Sequence, residues 1–262
     1  MMAFTYITFF SIKMITVRLN GGLGNQLFQL CAAKSISKDT NKEFYINSLN
    51  TPTITHSTKN YYEGIFKNFT MFFQNKSSEY HYYDCLANYP QFFENVKNSN
   101  QAVLLGGYFQ DYRITDVVYD EFRNLLWFDK ERLDSKYPNI SSTIFFHIRG
   151  GDYLTTDLLL DLREYYKQAV LLFPGKKFSV FTNDIQYAQK FLEDFEYDII
   201  NENEEDSLYL MSKCEGGICA NSTFSWWGGY LNKDRKIVIP SKWSQKYYWH
   251  DKTYHVPNWI TI

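Results

Sequence analysis

The sequence predicts an α/β protein, with two nucleotide-fold units facing each other across a cleft. Short runs rich in Ile, Val and Phe alternate with helical stretches, which is the βαβ pattern of a parallel sheet. Polar segments rich in Gly, Asn, Ser and Thr follow several of these runs, at the strand ends where an open parallel sheet binds ligands. The 262 residues exceed one ordinary domain of about 100–200 residues. The polar stretch Asp134–Ser142, which contains Pro138, is the natural break, dividing the chain into units 1–134 and 135–262.

In chain order, Ile15–Leu19 reads as a strand and is followed by a helix from about Asn25 to Lys38. Strands at Phe44–Ile46 and Val103–Leu105 complete what is legible in the first unit. Residues 50–100 are rich in Tyr, Phe and Asn without clean periodicity, and no element is assigned there. The second unit reads more clearly, with strands at Thr143–Ile148, Phe178–Thr182, Tyr197–Ile200, Gly217–Ala220 and Lys236–Ile239. Helices lie between them, around Leu162–Leu172, Ile185–Glu193, Asp206–Cys214 and Thr223–Leu231. The acidic run Asn201–Asp206 reads as a solvated loop, with Asp206 as an N-cap.

Composition excludes several classes. A net charge of −2 argues against a general nucleic-acid binder, which needs a basic face to displace phosphate counterions. Aromatic residues reach 19%, with 22 Tyr, 22 Phe and 6 Trp; an A/T-rich coding bias is the favoured account, and composition alone does not establish a sugar-stacking surface. Cys31, Cys85, Cys214 and Cys219 are too few and scattered for a disulfide framework, and read as reduced core thiols. Residues 2–12 are apolar, but they lack a basic n-region and a small-residue cleavage site. They also fall short of the ~20 residues of a membrane span. A cytoplasmic protein is expected, with peripheral membrane contact through this run as the alternative and Met14 as a second plausible start.

Four strand-end segments carry candidate chemistry. Gly21-Gly22-Leu23-Gly24-Asn25-Gln26 opens a helix, where glycines admit a ligand to the backbone and free N–H groups face it. It lacks the third glycine of a dinucleotide fingerprint and the Gly-Lys-Ser/Thr of a Walker loop, and a tight strand–helix turn would look the same. His147-Ile148-Arg149-Gly150-Gly151-Asp152-Tyr153 ends a strand whose alternation puts His147 and Arg149 on one face. Arg suits bidentate phosphate recognition, although an Arg149–Asp152 salt bridge could simply shape the turn. Thr182-Asn183-Asp184 is equally a helix cap. Asn221-Ser222-Thr223-Phe224 brings hydroxyls and bare N–H groups to a helix N-terminus, which suits an anion. One Arg and two helix N-termini at one sheet edge suggest a pyrophosphate, and hence a nucleoside diphosphate. No D-x-D, H-E-x-x-H, EF-hand or G-x-S-x-G pattern occurs, so no metal ligands are expected and protein cations would stabilise a departing pyrophosphate.

Gly21–Gln29, Gly107–Gln110, His147–Tyr153, Phe181–Asp184 and Asn221–Gly229 stand in the order seen in the α-1,2-fucosyltransferases of glycosyltransferase family 11, which the chain resembles over most of its length. The resemblance implies a B-type fold of two facing Rossmann-like domains, the first on the acceptor side and the second binding a GDP-sugar. It implies inverting, metal-independent transfer from GDP-β-L-fucose to the 2-hydroxyl of a galactose-terminated glycan, with no cofactor. Carried over by motif, Arg149 would bind the β-phosphate and steady the departing GDP. His147 and Asp184 would seat the nucleoside, and Asn221, Ser222, Thr223 and Phe224 the phosphates. Asn25 would face the fucose and acceptor, with Gly24, Gln26, Gln110 and Asp111 on the acceptor side. Asp152 is the first candidate base and Asp111 the second. The family usually writes H-x-R-R-G-D-Y, and Gly150 replaces the second Arg. That substitution keeps open a same-fold transferase with another nucleotide-sugar donor, or a non-catalytic sugar-nucleotide binder.

Overall fold

The computed structural model describes residues 14–47, 61–74, 81–84, 89–192, 195–246 and 253–262. The readings of the N-terminal apolar run, of Cys85 and of Glu193 lie outside the described residues.

In the first half, β1 (Met14–Val17) leads into α1 (Leu23–Thr40) and β2 (Glu43–Asn47). α1 stops at Asn41, whose φ of 52° is left-handed and whose N–H donates to the Ser37 carbonyl, a stop that Asn tolerates well. Then come β3 (Phe73–Gln74), β4 (His81–Asp84), α2 (Tyr89–Asn98) and β5 (Val103–Gly106). All pairings are parallel, in the order β3-β2-β1-β5-β4. β3 and β4 are edge strands of two and four residues, too short for the alternation that would reveal them in the sequence.

Three short helices, α3 (Tyr112–Asp116), α4 (Tyr119–Leu125) and α5 (Lys130–Lys136), lead to the second half. There β6 (Ile144–Ile148), α6 (Arg163–Leu171), β7 (Phe178–Thr182), α7 (Ile185–Ala188) and β8 (Tyr197–Ile199) follow in turn. The chain continues through α8 (Glu204–Lys213), β9 (Gly216–Ile218), α9 (Thr223–Tyr230), β10 (Ile237–Ile239) and β11 (Ile260–Thr261). This sheet is also parallel, in the order β11-β10-β9-β6-β7-β8. The helix expected over Ile185–Glu193 is instead α7 followed by a 3₁₀ turn at Gln189–Phe191.

β6 is buried along its whole length. Ile144, Phe146 and Ile148 join an outer cluster with Tyr165 and Tyr166 of α6, whereas Phe145 joins the core shared by both halves. Alternation therefore turns His147 toward the first half. In the shared core, Phe28 of α1 lies 4.6 Å from Trp226 and 5.1 Å from Trp227 of α9. Burying such side chains is worth about 1.5–3 kcal/mol each, so part of the aromatic excess presses the halves together.

The acidic run is a solvated loop only in part: residues 201–203 are irregular, with Asn201, Asn203 and Glu204 exposed, whereas Glu204–Asp206 open α8. Asn203, rather than Asp206, caps α8, its side chain accepting the Asp206 N–H at 2.9 Å. Glu202 binds Lys136 and the Tyr137 hydroxyl, and Asp206 binds Arg132 at 2.5 Å. Glu204 accepts the Tyr61 hydroxyl, and Glu205 accepts the Ile65 N–H at 3.0 Å. The carboxylates thus fasten α5 and segment 61–66 to α8, because donors from distant parts of the chain converge on them. Cys31, Cys214 and Cys219 are free and buried. Burial pushes the Cys214 thiol up to about 11 and that of Cys219 to about 12, which leaves both as inert thiols. Among the described residues, no helix is long and apolar enough to cross a membrane.

Candidate active site

The strand order assembles the motifs. β1 and β5 are neighbours, so their carboxyl ends set Gly21–Gln26 beside Gly107–Asp111. β9, β6 and β7 are neighbours, so Asn221–Phe224, His147–Tyr153 and Thr182–Asp184 share the facing edge.

On the first edge, buried Gln29 joins the two loops. Its Oε1 accepts the Asn20 N–H at 3.0 Å and its Nε2 donates to the Gly107 carbonyl at 3.1 Å. Gln26 Nε2 donates to the Gly21 carbonyl at 2.8 Å, so this predicted residue braces the glycine turn. Gly24 is required by proximity: a Cβ there would lie 2.5–2.7 Å from backbone atoms of Thr223 and Phe224. Phe109 adopts a φ of 53°, a strained value for a bulky residue, and its ring packs 5.5 Å from that of Phe92. Gln110, next in the chain, donates Nε2 to Asn25 Oδ1 at 2.7 Å.

Thr223 crosses from the other half to donate its hydroxyl to the same Asn25 oxygen at 3.0 Å. Asp111 is a helix cap rather than a free base. It is buried, accepts the Arg113 N–H at 2.9 Å, and binds the Arg113 guanidinium through both carboxylate oxygens.

On the second edge, Arg149 donates Nη2 to Asp152 Oδ1 at 2.6 Å and lies 4.9 Å over the Tyr153 ring. The salt bridge allowed by the sequence is therefore present. Asn183 clamps the turn, with its Oδ1 accepting the Gly150 N–H at 3.0 Å and its Nδ2 donating to the Gly150 carbonyl at 3.3 Å. Asp184 caps α7 by accepting the Tyr187 N–H at 2.9 Å and also accepts the Gly151 N–H at 3.2 Å. Ser222 caps α9, accepting the Phe224 N–H at 3.3 Å, and also hydrogen-bonds Tyr153. Asn221 is a brace: its Nδ2 donates to the Leu158 and Trp243 carbonyls at 2.8 and 2.9 Å. Asn183 and Tyr153 were legible as motif members but not in these roles.

His147 packs 5.6 Å from the Phe224 ring. Burial, with the Arg149 charge beside it, holds its pKa down to about 3, so the imidazole is neutral and Arg149 carries the charge. Among the described residues, His147 Nδ1 and Arg149 Nε are buried without a hydrogen-bond partner. Such orphans cost about 1–3 kcal/mol each unless a ligand engages them. A cation, a neutral imidazole and a helix N-terminus at one edge can together hold an anion. Among the described residues, no group of three or more His, Cys, Asp or Glu side chains could hold a metal ion.

Gly150 has no room for a side chain. A Cβ there would lie 2.8 Å from Asp184 Cβ and 2.9 Å from Tyr187 Cδ1. Gly150→Arg is therefore expected to destabilise the fold by about 1–3 kcal/mol and to lower activity rather than raise it. Thermal melts alongside GDP-release assays check this, and a gain of activity would overturn it.

The family model of Glycosyl transferase family 11 matches residues 2–262. The O-antigen biosynthesis glycosyltransferase WbnK of Escherichia coli is 27% identical, covering 86% of this chain and 93% of its own. An α-1,2-colitosyltransferase of Escherichia coli is 26% identical, covering 90% and 94%. The crystal structure of fucosyltransferase NodZ from Bradyrhizobium superposes with a TM-score of 0.53 at 14% identity, over 82% of this chain and 92% of its own. A NodZ α-1,6-fucosyltransferase soaked with GDP-fucose also gives 0.53. The likeness to NodZ shows a shared fold, with two facing Rossmann-like sheets across a cleft.

Proposed function

The chain belongs to glycosyl transferase family 11 and is a sugar-nucleotide-dependent glycosyltransferase; from that premise we propose that it transfers L-fucose from GDP-β-L-fucose to the 2-hydroxyl of a β-galactoside, with inversion and without a metal. The observation that carries this reading is the unpartnered Arg149 Nε beside neutral His147 and the N-terminus of α9. A diphosphate is the chemistry that such a set would bind. Support for the donor comes from NodZ, described as soaked with GDP-fucose, and for the linkage from the α-1,2-colitosyltransferase.

In this reading, residues 135–262 bind the donor and residues 1–134 face the acceptor. The acceptor hydroxyl attacks the anomeric carbon from the face opposite GDP. The bond to the β-phosphate oxygen breaks, its electron pair stays on that oxygen, and Arg149 stabilises the charge. The hydroxyl proton passes to Asp152, which is 43% exposed at its side chain and so open to the cleft, unlike Asp111. Asn25 and Gln110 hold sugar oxygens. Ser222, Thr223 and Phe224 present the helix end to the phosphates. The likeness to the α-1,2-colitosyltransferase, 26% identical, favours a second reading in which the donor sugar is colitose.

GDP release should be measured from GDP-fucose with and without lactose or N-acetyllactosamine, in EDTA. Acceptor-dependent release that survives EDTA is expected. Release from GDP-colitose alone would establish the second reading, and the absence of any thermal shift with GDP would overturn both.

A further inference from the structure

Asn25 has its amide fixed by a chain of hydrogen bonds that starts far away in sequence. Its Oδ1 accepts from Gln110 Nε2 at 2.7 Å and from the Thr223 hydroxyl at 3.0 Å. Both lone pairs of that carbonyl are thus occupied, and the Nδ2 hydrogens are what the side chain has left to offer. A group held there must be an oxygen acceptor, such as a sugar hydroxyl or ring oxygen. Gln110 is fixed in turn, because its Oε1 accepts the Tyr254 hydroxyl. An amide whose oxygen is so held cannot flip without breaking the bond to Asn25.

Tyr254 is itself rigid. It is 1% exposed, stacks on Trp243 with ring centres 3.7 Å apart and planes at 14°, and accepts Trp226 Nε1–H at its carbonyl at 2.8 Å. Neither contact uses the hydroxyl. Phe109, immediately before Gln110, has a φ of 53°, and its ring lies 5.5 Å from that of Phe92.

We propose that Tyr254 is a positioning residue for sugar transfer: through Gln110 it orients the Asn25 amide so that Nδ2 donates to a sugar oxygen in the cleft. The inference rests on the glycosyltransferase reading of this site and adds a residue outside every recognised motif. Asn25 touches the sugar, whereas Tyr254 acts through it.

Tyr254→Phe removes the hydroxyl and keeps the stack and the carbonyl contact. Its kcat for transfer is expected to fall about 3- to 10-fold, the worth of one neutral hydrogen bond, with GDP affinity near wild type and melting temperature lower by only about 2–4 °C. A second readout needs no turnover. In ¹⁵N-labelled protein the side-chain amide resonances of Asn25, assigned by the peak lost in Asn25→Ala, are expected to shift in Tyr254→Phe. If wild type transfers nothing from GDP-fucose yet the Asn25 amide shifts, the positioning chain stands and the donor reading falls. An unchanged kcat in Tyr254→Phe, or an Asn25 amide that does not move, overturns the inference; the donor reading stands or falls separately, on whether the wild type transfers from GDP-fucose.

Discussion

Arg149→Ala is expected to lower sugar transfer about 10²- to 10³-fold, the usual consequence of removing one preorganised group that stabilises transition-state charge. His147 beside it is neutral, held down to about 3, and so cannot take over the charge. The guanidinium is also pre-aimed, paired through Nη2 to Asp152 at 2.6 Å and seated over Tyr153. Little ordering is then needed when the leaving phosphate develops charge. Arg149→Lys should rescue only a small part, because a lysine ammonium lacks the planar fork. Asp152 is 43% exposed at its side chain, so solvent can replace the lost partner; the fold should survive and melting should change little. Asp152→Asn should cost less than Arg149→Ala, because in the proposed mechanism leaving-group stabilisation by Arg149 lowers the barrier more than base strength does. GDP release by the purified variants reads both effects, and near-normal turnover in Arg149→Ala would sink the scheme.

Gly24→Ala is expected to cost about 1–3 kcal/mol of stability and to reduce transfer at least tenfold. The added methyl would meet the Thr223 carbonyl carbon at 2.5 Å and the Phe224 nitrogen at 2.6 Å. These are backbone atoms of the first turn of α9, and they cannot swing aside as a flexible side-chain tip would. Phe28, Trp226 and Trp227 pin α1 to α9 just behind, so the clash must open the helix ends. That separates Thr223 from Asn25 and loosens the Asn25 amide, which we propose faces the sugar. Gly22→Ala is the control, since nothing lies within 4 Å of its Cβ and its φ of −70° suits any residue. Its melting temperature should match wild type, while that of Gly24→Ala should fall by about 2–12 °C. Equal melting temperatures for the two variants would refute the close-approach account.

Legibility followed the range of each signal. β6 and β7 were readable because they are central strands with continuous apolar runs, and α9 because Ser222 precedes it as a cap. The Gly21–Gln29 and His147–Tyr153 segments stood out because glycines and a lone Arg at a strand end are local features. The acidic run misled for the opposite reason. Its charge suggested solvent, yet its partners Tyr61, Ile65, Arg132 and Lys136 lie more than sixty residues away along the chain. Asp111, the second candidate base, has the Arg113 guanidinium folded back onto both of its oxygens, a pairing that no motif announces.

By itself the sequence determined the parallel α/β class and the motifs that ride on strand ends, since hydrophobic period and turn chemistry act within a few residues. Tertiary structure alone decided which side chains those motifs meet. Thr223 reaches Asn25 across 198 positions and Tyr254 reaches Gln110 across 144. The first arises from the packing of α1 on α9 and the second from the chain beyond α9 meeting the loop after β5; shape and burial act there through space and leave no periodic trace along the chain.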